Sequence, residues 1–514
     1  MKGILSIIIS LTLSVTVSAQ VQPDSIYFYR QDSRVLDMAF SNATQLIHSP
    51  FQKTSSISFN FNSNNGHYRK SQEAENNSAV HFFTGGIQTL GSFKFSGSFD
   101  FERMWEDSLA YTMKGLHSDV SPFYYMAQKA GNYQRLNYRL KGTAVYALVP
   151  NKLNLSAGID YLFNSASRAV DPRPSVDTYH IIIKPAIIYQ WQNKAIGLGA
   201  DFGYGTEINS IGYSNQSFAT SNLYPDRFIY MVTGYGYSDR KTASIDRSFR
   251  RKTSYTGLNL NYAANYNSGY LKLNLRYNAS HENNSNELDQ SINDKNLGTF
   301  DLDRYAVDVL SAKNNGPLKH QFFIKATYTS GIDYNTLLGG SNYKYRQTTG
   351  EFGYNLMVNR RPLSLLPEFG LTLKYEQQFG RDISAGTLAD HSYLQPGLSM
   401  AVYKTYKGMN RFSATLLPAL RLPLSHKVNT TAGLFDYFTN GIVYPDHSYW
   451  SSTAAVLSGK FSYFTPVLFK GTNTALSISG TYLRPLNTQT DNIIANFVPS
   501  GYRLAGSASL NFYF

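Results

Sequence analysis

The residues that could carry chemistry lie far apart along the chain. Only Asp446-His447-Ser448 sets the letters of an acyl-transfer triad side by side. Sequence neighbours point in different directions, so that tripeptide cannot by itself align a nucleophile, a base and an orienting acid. His81, His180, His320 and His391 could serve a hydrolase at the rim of a barrel, and each equally suits an interfacial position. No phosphate-cradling glycine loop, nucleophile elbow or His-Glu metalloprotease helix occurs. With no cysteine among 514 residues, thiol catalysis, disulfides, thiolate metal sites and an N-terminal lipid anchor are excluded. The expectation is therefore no enzyme, no cofactor and no metal.

What accumulates is charge at alternate positions. Lys94, Arg135, Arg139, Lys141, Lys184, Lys272, Arg276, Lys319, Lys325, Lys374, Arg421, Lys460 and Arg503 occupy the polar phase of alternating runs, against Asp100, Glu102, Asp160, Asp201, Glu351 and Glu376. If that phase faces a lumen, 13 bases oppose 6 acids. A basic, low-dielectric pore concentrates anions, although lumen bases also pair with acids on neighbouring strands or on a plug. Asp239-Arg240-Lys241, continuing through Arg247, Arg250, Arg251 and Lys252, reads as a basic outer-rim loop facing lipopolysaccharide phosphates. A pI near 9.4 does not point to nucleic acid, because the bases are dispersed through alternating strands.

The elements that would position these groups are strands of about ten residues with period-two alternation. Phe93, Phe95, Phe99 and Phe101 alternate with Lys94, Ser96, Ser98, Asp100 and Glu102, and Leu271 and Leu273 alternate with Lys272 and Asn274. Short turns such as Leu90-Gly91 and Asn314-Asn315-Gly316-Pro317 alternate with long polar loops such as 105–132, 207–252 and 424–451. The spacing predicts a closed antiparallel transmembrane barrel, all-β, of about 18 strands, with about 16 or 14 as the smaller counts. Aromatics make up 15% of residues and mean hydropathy is −0.31, the mixture of apolar belt and polar lumen that such a barrel needs. Closure is required because lipid cannot satisfy a free sheet edge.

Three segments are expected. Residues 1–19, with Lys2, an apolar run from Ile4 to Val17 and Ser18-Ala19 before Gln20, read as a cleaved signal peptide. Residues 20–52 carry Leu36, Ala39, Phe40, Ala43, Leu46 and Ile47 at helical spacing, with Asp32 or Ser33 to cap the start and Pro50 to stop the run. The apolar stripe favours a helix plugging the lumen over a periplasmic lead. Residues 53–514 form the barrel.

The closing strand carries Leu510, Phe512 and Phe514 on one face, resembling the C-terminal signal read by the barrel assembly machinery. Together with the N-terminal helix and the Asn-, Tyr- and Lys-rich hairpins, the ending Asn511-Phe512-Tyr513-Phe514 resembles the uncharacterised outer-membrane barrels of Bacteroidota. That resemblance implies an outer-membrane location and a nutrient-uptake receptor as partner, and it carries over no functional residue; a secretion complex is the other partner an accessory barrel would dock. The sequence is not similar to TonB-dependent receptors, whose barrels of about 22 strands sit behind a large plug domain. The expected function is a channel or transporter for small, anionic solutes. The alternatives are an accessory barrel docking an uptake or secretion complex, and a barrel-embedded hydrolase.

Overall fold

The computed structural model describes residues 33–242, 247–286, 295–358, 365–406, 410–431, 436–469, 472–487 and 495–514. Residues 1–19, read as a signal peptide, and Asp32 lie outside them. The strands, in chain order, are β1 Lys53–Asn65, β2 Asn76–Leu90, β3 Phe93–Leu109, β4 Phe123–Met126, β5 Gly131–Val149, β6 Leu153–Arg168, β7 Arg173–Trp191, β8 Lys194–Gly212, β9 Ile229–Thr233, β10 Ser238–Lys241, β11 Ser248–Tyr266, β12 Gly269–Asn286, β13 Lys295–Asn315, β14 Leu318–Asn335, β15 Tyr343–Val358, β16 Leu365–Asp382, β17 Thr387–Thr405, β18 Arg411–Asn429, β19 Ala454–Phe469, β20 Thr472–Pro485 and β21 Arg503–Tyr513.

All but three of these form one closed, 18-stranded antiparallel sheet. Closure comes from β1 against β21, with Ser56 opposite Tyr513 and Asn65 opposite Leu504. Just below that pair, Ser55 and Phe514 exchange both backbone hydrogen bonds, at 3.2 and 2.9 Å. No barrel strand is left with an unpaired edge, which removes the cost of bare backbone groups facing lipid. The short turns lie at one end, called here the lower end. Gly91 and Gly316 take φ of +57° there, a left-handed conformation that side-chain-bearing residues adopt only with strain.

The alternation sorts the two faces. Outward-facing Ile183, Leu198 and Ile478 are 55%, 61% and 65% exposed, an apolar surface of the kind that lipid covers. Aromatic rings form two rows on this face. Phe59, Phe82, Phe99, Tyr138 and Phe163 run ring to ring across β1, β2, β3, β5 and β6 at 5.1 to 6.4 Å, and Phe93 meets Tyr146 at 4.8 Å near the lower turns. Tyr138 and Tyr146 share the outer face of β5. At ~3.3 Å per residue and a strand tilt of ~40°, their eight-residue separation spans ~20 Å, close to the ~25 Å apolar band of such barrels. Among the described residues no helix is long and apolar enough to cross a membrane, so any crossing is made by strands.

A charge placed on each face of one strand should behave oppositely. Ile478→Arg should lower the yield of heat-resistant folded barrel by the equivalent of about 2 to 4 kcal/mol, whereas Ser479→Arg, on the lumen side, should fold nearly as well as the parent. Folding yields in liposomes measure the difference, and equal yields would reverse the phase of β20.

The expected single N-terminal helix is two. Ser33–Ser41 and Ala43–Ile47 are separated by Asn42, whose extended backbone (φ −165°, ψ 169°) breaks the first. Its side chain accepts from the Gln45 N–H at 3.0 Å and caps the second. The apolar stripe of both helices packs with Ile87, Val145, Ile188, Ala195, Leu310 and Phe323, lumen-facing residues near the lower end of the wall. Leu46 is wholly buried there, worth about 2 to 3 kcal/mol against exposure.

The long loops hold more structure than their polar composition suggests. β4, β9 and β10 form a small sheet of their own, with Phe123 opposite Thr233 and Lys241 opposite Ile229. These strands come from the β3–β5 and β8–β11 connections and fold inward. Met113, Phe123, Tyr125, Ile229 and Met231 pack against Phe249, Phe300, Tyr343 and Tyr345 of the wall. The helix Tyr444–Ser451, from the β18–β19 connection, joins the inward group.

Candidate functional site

Between the inward loops and the barrel wall lies a chamber of about 620 Å³. Its wall contributes Glu106, Arg304, Tyr343, Tyr345, Gln347, Gln378 and Arg503, and its loops contribute Lys70, Gln72, Glu73, Lys114, His117, Asp119, Tyr124, Tyr235 and Asp446. Alternation places the wall group: all lie on the lumen phase of their strands. The loop group is held by wall side chains that grip loop backbone. Arg503 donates to the carbonyls of Gly66, Ala74 and Glu75 at 2.8 to 3.0 Å. Arg135 binds Glu106 at 2.5 Å and donates to the Lys114 carbonyl at 2.9 Å and to that of Gly115. Asp382 accepts from the N–H groups of Tyr235 and Tyr237 at 2.7 and 2.9 Å.

One more of these attachments is ionic. Arg251 of β11 meets Asp119 of the β3–β5 loop at 2.8 Å, Glu282 of β12 at 3.4 Å and Glu207 of β8 at 3.8 Å, all nearly inaccessible to solvent. Its second terminal nitrogen donates to the Phe123 carbonyl at 2.7 Å. One guanidinium is thus shared by a loop carboxylate and two wall carboxylates. A second cavity, of about 250 Å³, lies on the other side of the same loop and shares Ser118, Asp119, Val120 and Arg304 with the chamber. The 118–120 stretch is the partition between them.

The bases read from the sequence as a solute path face inward, but most are occupied. Lys94 donates to the Ser49 carbonyl and hydroxyl, both at 3.1 Å. Lys272 donates to Gln45 at 3.3 Å, and Lys325 lies within electrostatic reach of Asp37. These three are engaged by the N-terminal segment. Asn274, beside Lys272, is likewise taken up by Asn42 and Gln45 at 2.8 and 3.0 Å. Arg135 and Arg503 hold loops, as above. Arg139 makes a two-point bond to Asp160, 2.9 Å each, shared with Lys184 at 3.1 Å. Arg276 binds Asp308 at 2.5 Å, and Lys319 lies 5.8 Å from the Tyr270 ring. Lys141 stands open to the lumen beside Arg139.

The six bases expected together on an outer rim are not gathered into one exposed patch. Arg251 is the buried pivot just described. Lys241 turns to Asp239 at 2.8 Å, Arg247 is buried and donates to Gln216, and Arg240 stacks on Phe228 at 3.3 Å. Lys252 is exposed on the opposite face of β11 from Arg251, and Arg250, on that same opposite face, is half-buried. For Arg250, Arg251 and Lys252 the physical reason is that β11 begins at Ser248, so alternation already governs these positions. Asp446-His447-Ser448 is also dispersed. Asp446 accepts from the Ser71 N–H at 2.8 Å, while the His447 ring lies 5.3 Å from His391 and 6.1 Å from His426.

Sequence reasoning missed the chamber's loop residues other than Asp446, which it weighed only as part of a triad. The available signals were the apolar runs Phe123–Ala127 and Phe228–Val232 inside stretches otherwise polar. Asp446 shows what enclosure does: burial lifts its carboxyl to about 6, against the Ser71 hydrogen bond and Lys70, which lower it. A carboxyl raised in the folded state contributes stability that is present below its ordinary range and is lost as pH rises through about 6. Protection of the 444–451 amides from hydrogen exchange, corrected for intrinsic rates, should therefore increase on going from pH 8 to pH 5, with a full range of up to about 3 kcal/mol. Asp446→Asn should flatten that dependence, and an unchanged slope in the variant would assign it elsewhere.

No curated protein matches the sequence. Among solved structures, the fold is similar to the ferric-catecholate import receptor Fiu of E. coli K12, at 9% identity and TM-score 0.40, over 90% of this chain and 81% of that one. It is also similar to the FrpB iron transporter of Neisseria meningitidis, at 8% and 0.41 over 92% and 83%, and to the siderophore receptor PiuA of Acinetobacter baumannii, at 9% and 0.39 over 90% and 82%. The match to a family profile runs from the second N-terminal helix through the last strand. That profile, the family of unknown function DUF6850, covers residues 43–514, and the chain belongs to this family.

Proposed function

We propose that this barrel sits in the outer membrane and passes a small polar solute under the control of its N-terminal segment. The observation that carries this reading is how residues 38–49 are held. Lys94, Lys272 and Asn274 meet Ser49, Gln45, Asn42 and Ser41 through polar contacts, which water can replace, and an apolar cluster centred on Leu46 adds to them. Such a segment works as a plug that can leave. When it leaves, Lys94 and Lys272 face the lower lumen without it, whereas Asp160 and Asp308 stay engaged by wall bases. The lower exit then becomes basic and favours small anions. The exposed outer face is the surface that meets lipid and lipopolysaccharide, and Leu510, Phe512 and Phe514 on the closing strand are the groups the assembly machinery would read.

The test uses the absence of native cysteine. A Cβ on Gly197 would lie 3.2 Å from the Thr44 Cβ, close to the ~3.5 to 4.5 Å of a disulfide. In a Thr44→Cys, Gly197→Cys chain, ion flux through proteoliposomes should stop on oxidation and return on reduction. Flux indifferent to the redox state of a verified disulfide would refute the mobile plug.

A further inference from the structure

Resting on the outer-membrane placement proposed above, we infer that Lys344, Arg346 and Arg381 form a seat for a phosphate of lipid A, the glycolipid anchor of lipopolysaccharide in the outer leaflet. All three are exposed and lie on the outward phase of their strands. Lys344 of β15 stands directly opposite Arg381 of β16, and Arg346 follows two residues along β15, opposite Phe379. Directly opposed residues are about 5 Å apart and same-face neighbours on one strand about 7 Å, so the three cations share one small patch. Like charges set directly opposite each other destabilise a sheet. Arg346 lies over the Phe379 ring at 5.2 Å, and among the described residues none of the three makes an ion pair that would offset this. Nearby outward acids are engaged elsewhere: Asp301 by His281 at 2.6 Å, Asp303 by Tyr277 at 2.7 Å and Asp390 by Gln377 at 3.1 Å. Asp382, next to Arg381, turns into the lumen and accepts from Tyr235 and Tyr237.

Height along the barrel says what meets the patch. On the same face, Tyr277, Tyr305 and Tyr328 run ring to ring across β12, β13 and β14 at 5.0 and 6.3 Å. Arg346 and Lys344 pair with Ser330 and Ile332 of β14, two and four residues from Tyr328 toward the long loops. At ~3.3 Å per residue and a strand tilt of ~40°, those positions lie ~5 and ~10 Å above the ring row. Aromatic rows mark the interfaces of such barrels, so the patch falls in the headgroup layer of the outer leaflet. Phosphates of lipid A are the anions concentrated in that layer, and the paired N–H donors of arginine match phosphate oxygens. The basic rim that the run 239–252 does not form is thus formed by two strands whose bases are distant in sequence and adjacent in the wall.

The test is a binding titration of the full chain in nonionic detergent with lipid A carrying both phosphates and with the same lipid after their removal. The phosphorylated form should bind at least about tenfold tighter. Lys344→Gln with Arg381→Gln should remove about tenfold of that affinity, whereas Lys252→Gln with Lys313→Gln, two exposed bases elsewhere on the barrel, should change it less than about twofold. In lipid-free detergent the Lys344, Arg381 double variant should melt no lower than the parent, because the opposed like charges are gone. Equal binding of the two lipids, or an equal loss in the control pair, would overturn the seat. Inorganic phosphate at millimolar concentration should not displace the lipid, and full displacement would assign the patch to a free anion instead. Membrane fractionation of the parent is read separately. If the barrel is in the outer membrane and ignores the phosphates, the seat alone falls; if it fractionates elsewhere, the placement beneath it falls.

Discussion

Arg251→Ala should cost about 3 to 5 kcal/mol and release the β3–β5 loop from the wall, the largest effect expected of a single substitution in the lumen. Removing the guanidinium leaves Asp119, Glu207 and Glu282 buried together without the cation that touches all three. Lys114 lies nearby and keeps its charge, but its ammonium is held on the carbonyls of Asp119 and Ser121, one cation for three carboxylates. The loop also loses the bond from Arg251 to the Phe123 carbonyl, which ties β4 to the barrel. Urea unfolding of the reconstituted barrel gives the stability change, and protease cleavage within 110–122 reports the loop. Adding Glu207→Gln and Glu282→Gln to Arg251→Ala should recover most of the loss, because the like charges have gone. A variant as poor as the single one would show that guanidinium packing, not charge, holds the loop.

The barrel was legible in the sequence because its wall obeys one local rule. Phe93 and Phe95 out, Lys94 and Ser96 in, is a statement about adjacent residues, and it needs no knowledge of the partner strand. Alternation predicts about 18 strands and the barrel has 18, extending further at the loop end: β11 begins at Ser248, inside the stretch 207–252 that reads as a polar loop. Turn chemistry at Gly91 and Gly316 fixed the lower boundaries for the same local reason.

The chamber obeys no such rule. β4 finds its partner in β9, with Phe123 opposite Thr233, and nothing near either segment specifies the other. Arg251 shows the same limit from another side. As one base in a run it reads as surface charge, and only the upward extension of β11 puts it in phase with Phe249 and Thr253 toward the lumen. The lumen bases were found by position, while their occupation by Ser49, Gln45 and loop carbonyls depends on contacts between segments far apart in the chain. This also changes which residues should set ion preference. Arg135 and Arg139 are bound to Glu106 and Asp160, so Lys94 and Lys272 become the relevant pair.

Conductance of single barrels in planar bilayers, compared between the full chain and one lacking residues 20–49, tests the central claim most directly. The account predicts little or no steady conductance for the full chain, because both helices occupy the lower lumen against strands on several sides. Without the segment, conductance should rise several-fold, and the reversal potential in a potassium chloride gradient should report chloride over potassium. Raising salt should weaken that preference as the Debye length falls from about 10 Å at 0.1 M toward about 3 Å at 1 M. Lys94→Gln with Lys272→Gln in the shortened chain should weaken the preference while leaving the conductance. A full chain that conducts as well as the shortened one, or a shortened chain selective for potassium, would contradict the plug and the charge assignment respectively.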